Sequence, residues 1–139
     1  MNKEVMRTFI ILMLFSAQVM ADKSTDLAHV VYVAAMQIDD GSWCFKASVK
    51  HNDQGWDHYA NGWEVTDLKG VQLGYREITH PHVNEQPFTR RQCEIKIPVE
   101  ISTVIVRARN NTNGYGGKTI KVDLNNIEST EYSVKRWEF

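Results

Sequence analysis

Residues 102–124 read STVIVRARNNTNGYGGKTIKVDL and contain two runs in which apolar and polar residues alternate. In the second run Ile120, Val122 and Leu124 are separated by single polar residues. A period of two places the apolar side chains on one face of a strand. The Asn- and Gly-rich segment between the two runs is typical of a turn. The stretch therefore predicts two strands that each bury one face.

The same alternation recurs along the chain, with turn signals between the runs and no sustained helical spacing. This pattern predicts an all-β protein, a single antiparallel β-sandwich of immunoglobulin or fibronectin type with about seven strands. Trp43 and Trp63 share the apolar phase of their strands and are predicted to be core residues. The tail, residues 125–139, is either an added edge strand or a docked extension. The predicted strands are 28–38, 42–50, 62–67, 71–79, 92–99, 102–109 and 117–124.

The first 21 residues have the pattern of a secretory signal peptide. Lys3 and Arg7 precede an apolar run, and the stretch ends in Val19-Met20-Ala21. The alternative is an uncleaved membrane anchor, but the run is shorter than the roughly 20 residues that a spanning helix needs. We therefore expect cleavage after Ala21, a periplasmic or secreted domain at 22–139 with a C-terminal extension at 125–139, and no integral membrane segment in the mature chain.

Composition excludes one class of partner. The chain has 42% hydrophobic residues and a formal net charge of −1. These values are ordinary for a globular protein, and the charge is too small to attract nucleic acid. We therefore expect no nucleic-acid partner.

The two cysteines, Cys44 and Cys93, are predicted to form a disulfide, because disulfides persist in exported proteins. The bond would close a loop of about 50 residues and contribute roughly 4 kcal/mol to stability. Cys44 lies out of the apolar phase of its strand, whereas Cys93 lies in phase with Ile95 and Ile97. A bridge within one sheet therefore requires a bulge or an irregular strand start at one cysteine.

Strands that alternate in direction bring three long loops to one end of the sandwich. We call them the first rim loop (51–61, HNDQGWDHYAN), the second rim loop (80–91, HPHVNEQPFTRR) and the third rim loop (110–117, NNTNGYGG). Four of the five histidines lie in these loops. Such a loop end is where sandwich domains place binding functions.

The rim loops contain a candidate metal site. His80 and His82 are separated by one residue in an extended, proline-containing segment, so their imidazoles share a side. Two imidazoles are half of a zinc or copper(II) site. His58 and His51 are the next candidate ligands, and Glu85 is a ligand or an outer hydrogen-bond acceptor. The alternative is that the histidines are solvated or hydrogen-bonded loop residues with structural roles, and that Glu85 bonds loop backbone groups or pairs with Arg90 or Arg91.

A second candidate function is a glycan- or protein-interaction module that uses the loop aromatics. The residues concerned are Trp56, Asp57, Tyr59, Arg90 and Tyr115. Trp56 has an alternative role as a lid on the core. A third reading is a hydrolase with a His–Glu acid/base pair in the second rim loop, which we rank last because a polar loop of this composition commonly holds such residues.

The strings HNDQGWDHYANGWEV, HPHVNEQPFTR and NGYGGK resemble a group of small exported bacterial proteins whose function is uncharacterised. The resemblance extends from His51 to Leu124. It implies export and a small β-domain, and it implies no activity.

Overall fold

The computed structural model describes residues 26–138, which form two packed β-sheets. Nine strands and no helix occur within this range, and no helix there could cross a membrane. The predicted leader lies outside the described residues. The strands are β1 (His29–Gln37), β2 (Trp43–Lys50), β3 (Ala60–Thr66), β4 (Gln72–Glu77), β5 (Phe88–Ile95), β6 (Thr103–Asn110), β7 (Gly114–Tyr115), β8 (Ile120–Asp123) and β9 (Tyr132–Lys135).

The first sheet has the order β5-β2-β1-β9, and the second has the order β4-β3-β6-β7, with β8 also paired to β6. The chain crosses between the sheets four times, after β2, β4, β5 and β8. This is the two-sheet arrangement of a fibronectin-type sandwich, so the predicted fold class is confirmed. Strand β8 corresponds to the seventh predicted strand (117–124), whereas the short strand β7 lies within the third rim loop and was not predicted.

Alternate residues of both sheets form the core. Trp63, Phe45, Val65 and Val106 are each fully buried, and Trp43 is 2% exposed. The predictions for Trp43 and Trp63 are therefore confirmed.

Strand β5 begins at Phe88 rather than at residue 92. The buried Phe88 extends the β2–β5 ladder past the polar residues that suggested a loop.

The disulfide between Cys44 and Cys93 is present, and the expected irregularity accompanies it. The β2–β5 register shifts between Trp43 and Phe45, so that Cys44 faces two residues of β5. Glu94, one of those two, has a φ of 58°. The extra residue turns Cys93 toward Cys44.

The tail adds an edge strand, which resolves the alternative left open by the sequence. Strand β9 pairs with β1 in parallel, with Val33 opposite Tyr132 and Ala35 opposite Val134. Tyr132 and Val134 are buried, so the segment predicted as an extension is part of the sandwich.

The three rim loops lie at one end of the sandwich and are hydrogen-bonded to one another. The backbone N–H of His82 in the second rim loop donates to Asp53 Oδ2 in the first, at 2.8 Å. The backbone N–H of Tyr59 in the first rim loop donates to Asn111 Oδ1 in the third, at 3.0 Å. The start of β1 reaches the same end because β1 runs antiparallel to β2.

Candidate functional site

Two histidines and one aspartate converge at this rim. The Nε2 atoms of His51 and His58 are 3.2 Å apart. Asp26 Oδ2 is 3.0 Å from His58 Nε2, and Asp26 Oδ1 is 3.6 Å from His51 Nε2. Between residues 26 and 138, this is the only group of three His, Cys, Asp or Glu residues whose ligand atoms come together. We call it the Asp26 cluster.

His51 directly follows β2, is 2% exposed and is held by a buried carboxylate. Its Nδ1 is 2.6 Å from Asp53 Oδ1. The Asp53 carboxylate also accepts the backbone N–H groups of Ala60, at 2.9 Å, and of His82, at 2.8 Å. An ionised carboxylate can only accept, so His51 Nδ1 carries a proton. In the neutral ring, Nε2 is then the atom with the free lone pair.

His58, two residues before β3, is oriented by a hydroxyl group. Its Nδ1 is 2.8 Å from Thr112 Oγ1. The Thr112 hydroxyl is 3.3 Å from the carbonyl oxygen of Asp57, to which it can donate while it accepts from His58 Nδ1–H. This partner assignment leaves the lone pair of His58 Nε2 directed at the cluster as well.

Asp26 precedes β1 and is brought to the rim by the third rim loop. The Asn110 side-chain amide donates to the carbonyl oxygen of Asp26 at 3.1 Å. A Cβ atom at Gly117 would overlap the carbonyl oxygen of Ala28. Only glycine lets the two backbones approach this closely.

The cluster is therefore composed of acceptors. Two imidazole lone pairs, both Asp26 carboxylate oxygens and the Asp26 carbonyl oxygen, which is 3.2 Å from His51 Nε2, surround the same space. Acceptors at these separations repel one another unless a proton or a cation lies between them. The arrangement can hold either one.

The electrostatics favour positive charge at this place. Burial by itself lowers the pKa of His51, but the hydrogen bond to Asp53 and the charge of Asp26 outweigh it and raise the pKa overall. Burial would raise the pKa of Asp53, but the hydrogen bonds from His51, His82 and Ala60 outweigh it, and this pKa is lowered. Asp53 therefore stays ionised beneath the His51 ring.

His80 and His82 lie in a different environment. The His82 ring stacks on Phe88 with a centroid distance of 4.1 Å, and its Nε2 is 2.6 Å from Arg90 Nη2. Burial and the charges of Arg90 and His80 lower the pKa of His82. The exposed His80 ring packs on His82 at 4.5 Å, and its Nδ1 approaches the carbonyl oxygen of Pro81. The two imidazoles are thus close to each other, as expected, but they are not part of the Asp26 cluster.

The other predicted site residues are placed as follows. Glu85 and Asp57 are exposed. Trp56 is 66% exposed and so is no lid on the core; Tyr59 contacts it edge to face at 5.7 Å. Arg90 belongs to the His82 environment, and Tyr115 packs against the guanidinium groups of Arg107 and Arg109.

Sequence reasoning did not single out Asp26, Thr112 or the role of Asp53 beneath His51. One available signal concerned Asp26. A strand that precedes and pairs antiparallel with the second strand must begin at the rim where the second strand ends. The residues just before β1 were therefore candidates for the same site.

Comparison with known proteins gives one similarity. The chain is 38% identical over 96 residues to a protein of Halomicrobium mukohataei described as "Putative lipoprotein". The aligned part covers 69% of this chain and 47% of that protein, so the chain spans about half the length of the curated relative it matches. No family model and no solved structure matches.

Proposed function

We propose that this protein is an exported metal-binding protein and that the Asp26 cluster binds one zinc or copper(II) ion. The observation that carries the proposal is the convergence of two imidazole Nε2 atoms whose Nδ1 atoms each have a side-chain partner. Asp53 and Thr112 occupy both Nδ1 atoms, and this directs two Nε2 lone pairs at each other across 3.2 Å with a carboxylate beside them.

The separations support a small divalent ion. Ligands at about 2.0 to 2.1 Å around a tetrahedral zinc ion are roughly 3.3 to 3.4 Å from one another. The separations between the three candidate ligands, 3.0, 3.2 and 3.6 Å, bracket this value. Imidazole and carboxylate ligands suit zinc and copper(II) alike.

The surroundings of the ligands resemble those of protein metal sites in general. Metal-ligating histidines usually donate the other ring N–H to a carboxylate, a carbonyl or another oxygen. Asp53 accepts that bond from His51, and Thr112 accepts it from His58. Three protein ligands leave at least one coordination position for water or for an exogenous ligand.

Export is supported by the signal-peptide pattern and by the disulfide. We propose a periplasmic or secreted location. The word lipoprotein in the relative's name is consistent with export.

A calorimetric titration tests the proposal. Zinc and copper(II) are added separately to protein without a histidine tag, alongside His58→Ala and His80→Ala variants. We expect one ion per chain for the wild type and for His80→Ala, and an affinity at least about 100-fold lower for His58→Ala. The exposed His80 is the matched control because it is also a rim histidine. Equal affinity of the wild type and His58→Ala, or a loss confined to His80→Ala, would refute the site.

A further inference from the structure

The outer face of the second sheet carries a row of aromatic side chains that continues from the rim. Tyr115 and Tyr75 lie on the two edge strands, and Tyr59 precedes the buried Ala60, so its side chain is directed to the outer face. Trp56 contacts Tyr59. We call Trp56, Tyr59, Tyr75 and Tyr115 the aromatic strip.

Gly62 makes room for the strip. It lies on the outer face of β3, and a Cβ atom there would overlap the hydroxyl group and ring of Tyr75. The Tyr75 ring therefore rests on the sheet backbone instead of projecting into water. Arg109 is directly opposite Gly62 in the β3–β6 pair, so its side chain emerges beside the Tyr75 ring.

The two arginines beneath the strip differ in their partners. Arg107 Nε donates to Glu64 Oε1 at 2.5 Å, and Gln72 donates to the other oxygen of this buried carboxylate at 2.7 Å. The charge of Arg107 is thus neutralised within the sheet. Its guanidinium group is 4.1 Å from the centroid of Tyr115.

Arg109, in contrast, has no acceptor among residues 26–138. Its Nε atom is buried without a hydrogen-bond partner, and its guanidinium carbon is 5.6 Å from the Tyr115 centroid. Glu77 is exposed on the same face, and no ion pair joins it to Arg109. A partly buried guanidinium group without an anion is costly, and an anionic ligand would relieve that cost.

We propose that the aromatic strip binds an acidic glycan, with sugar rings stacked on the aromatic side chains and a sugar carboxylate bound by Arg109. Exposed aromatic rings such as Trp56 and Tyr75 can stack on the flat apolar faces of sugars. A peptide fits this surface less well, because peptides usually bind as an added strand at a sheet edge or by side chains in pockets. The aromatic strip instead covers the face of a sheet. Charge complementarity selects a uronic acid polymer over a neutral one. This ligand is independent of any metal at the Asp26 cluster.

The test is calorimetry with a hexamer of galacturonic acid, a neutral hexamer of glucose and a hexamer of glutamic acid, in low salt and with a chelator present. We expect binding of the galacturonate hexamer, at least about tenfold weaker binding of the glucose hexamer, and none of the glutamate hexamer. Failure of all three ligands, or binding of the glutamate hexamer alone, would overturn the proposal. Because the chelator removes metal ions, the result is separate from the metal titration.

Three variants locate the site. Arg109→Gln should lose at least about tenfold in affinity for the galacturonate hexamer, and its preference over the glucose hexamer should disappear. Trp56→Ala, at an exposed position that should not affect folding, should weaken both sugars about threefold to tenfold. Glu77→Gln is the control on the same face and should bind at least as tightly as the wild type. Unchanged affinity in both Arg109→Gln and Trp56→Ala would place the glycan elsewhere and refute the strip.

Discussion

The Nε2 atoms of His51 and His58 are 3.2 Å apart while the Nδ1 atom of each ring is engaged by another side chain. Both histidines belong to the first rim loop. The partner of His51 Nδ1 is Asp53 in the same loop, and the partner of His58 Nδ1 is Thr112 in the third rim loop. This arrangement explains why the cluster needs a positive species at its centre.

Replacing Asp53 with asparagine should weaken both the fold and the metal site. The substitution removes the negative charge and leaves one acceptor oxygen, so the new NH2 group faces either the His51 Nδ1–H and Ala60 N–H donors or the backbone N–H of His82. We expect the free energy of unfolding to fall by about 2 to 4 kcal/mol, and metal affinity to fall about 10- to 100-fold. Urea denaturation and calorimetry measure the two effects. A variant with unchanged metal affinity would show that Asp53 does not orient His51.

Much of the fold follows from the sequence, since the strands with regular alternation were predicted within a few residues. The start of β5 was missed because Thr89, Arg90 and Arg91 have no apolar alternation, and only the burial of Phe88 shows that the ladder continues. The rim was predicted from strand direction alone. Its chemistry was predicted in part: His51 and His58 meet, whereas His82 turns away to Phe88 and Arg90. No local pattern encodes that choice, because it depends on contacts across loops.

Replacing Gly117 with alanine should impair the metal site without changing any ligand. The new methyl group would overlap the backbone of Ala28, so the segment that carries Asp26 must move. We expect metal affinity to fall at least about tenfold and stability to fall by about 1 to 3 kcal/mol. Calorimetry and thermal unfolding measure these changes. Thr119→Ala, at an exposed position nearby, is the control and should match the wild type.

His82 should make stability depend on pH. Its folded-state pKa is lowered by burial and by the charges of Arg90 and His80. The unfolded chain therefore takes up a proton at about pH 6.5, the usual histidine value, while the folded chain resists it. The contribution of neutral His82 to the free energy of unfolding is present above about pH 6.5 and is lost as the pH falls from that value toward the lowered pKa.

The measurement is urea denaturation of the wild type and of His82→Gln between pH 5 and pH 8, with a chelator present. Glutamine retains an acceptor for Arg90 but does not titrate. We expect the difference in the free energy of unfolding, wild type minus variant, to decrease as the pH falls. A constant difference across this range would contradict the assignment, and so would one that grows on acidification.

Removing the disulfide should cost stability on the scale of chain entropy. Cys44 and Cys93 are 49 residues apart, and the bond fixes the bulged end of the β2–β5 ladder. The Cys44→Ser/Cys93→Ser double variant should lose about 4 kcal/mol in guanidinium denaturation. A reductant should destabilise the wild type to the same extent and leave the double variant unchanged. Wild-type protein insensitive to full reduction would show that the bond adds nothing to the fold.

The most direct test of the metal site is nitrogen-15 NMR of the histidine side chains with and without zinc. Metal coordination changes the chemical shift of the ligating ring nitrogen, and both nitrogens of all five histidines can be followed together. We predict that one equivalent of zinc shifts the Nε2 resonances of His51 and His58, fixes both rings with Nδ1 protonated, and leaves His29, His80 and His82 unchanged. Zinc-dependent shifts at His80 and His82 with none at His51 and His58 would contradict the account.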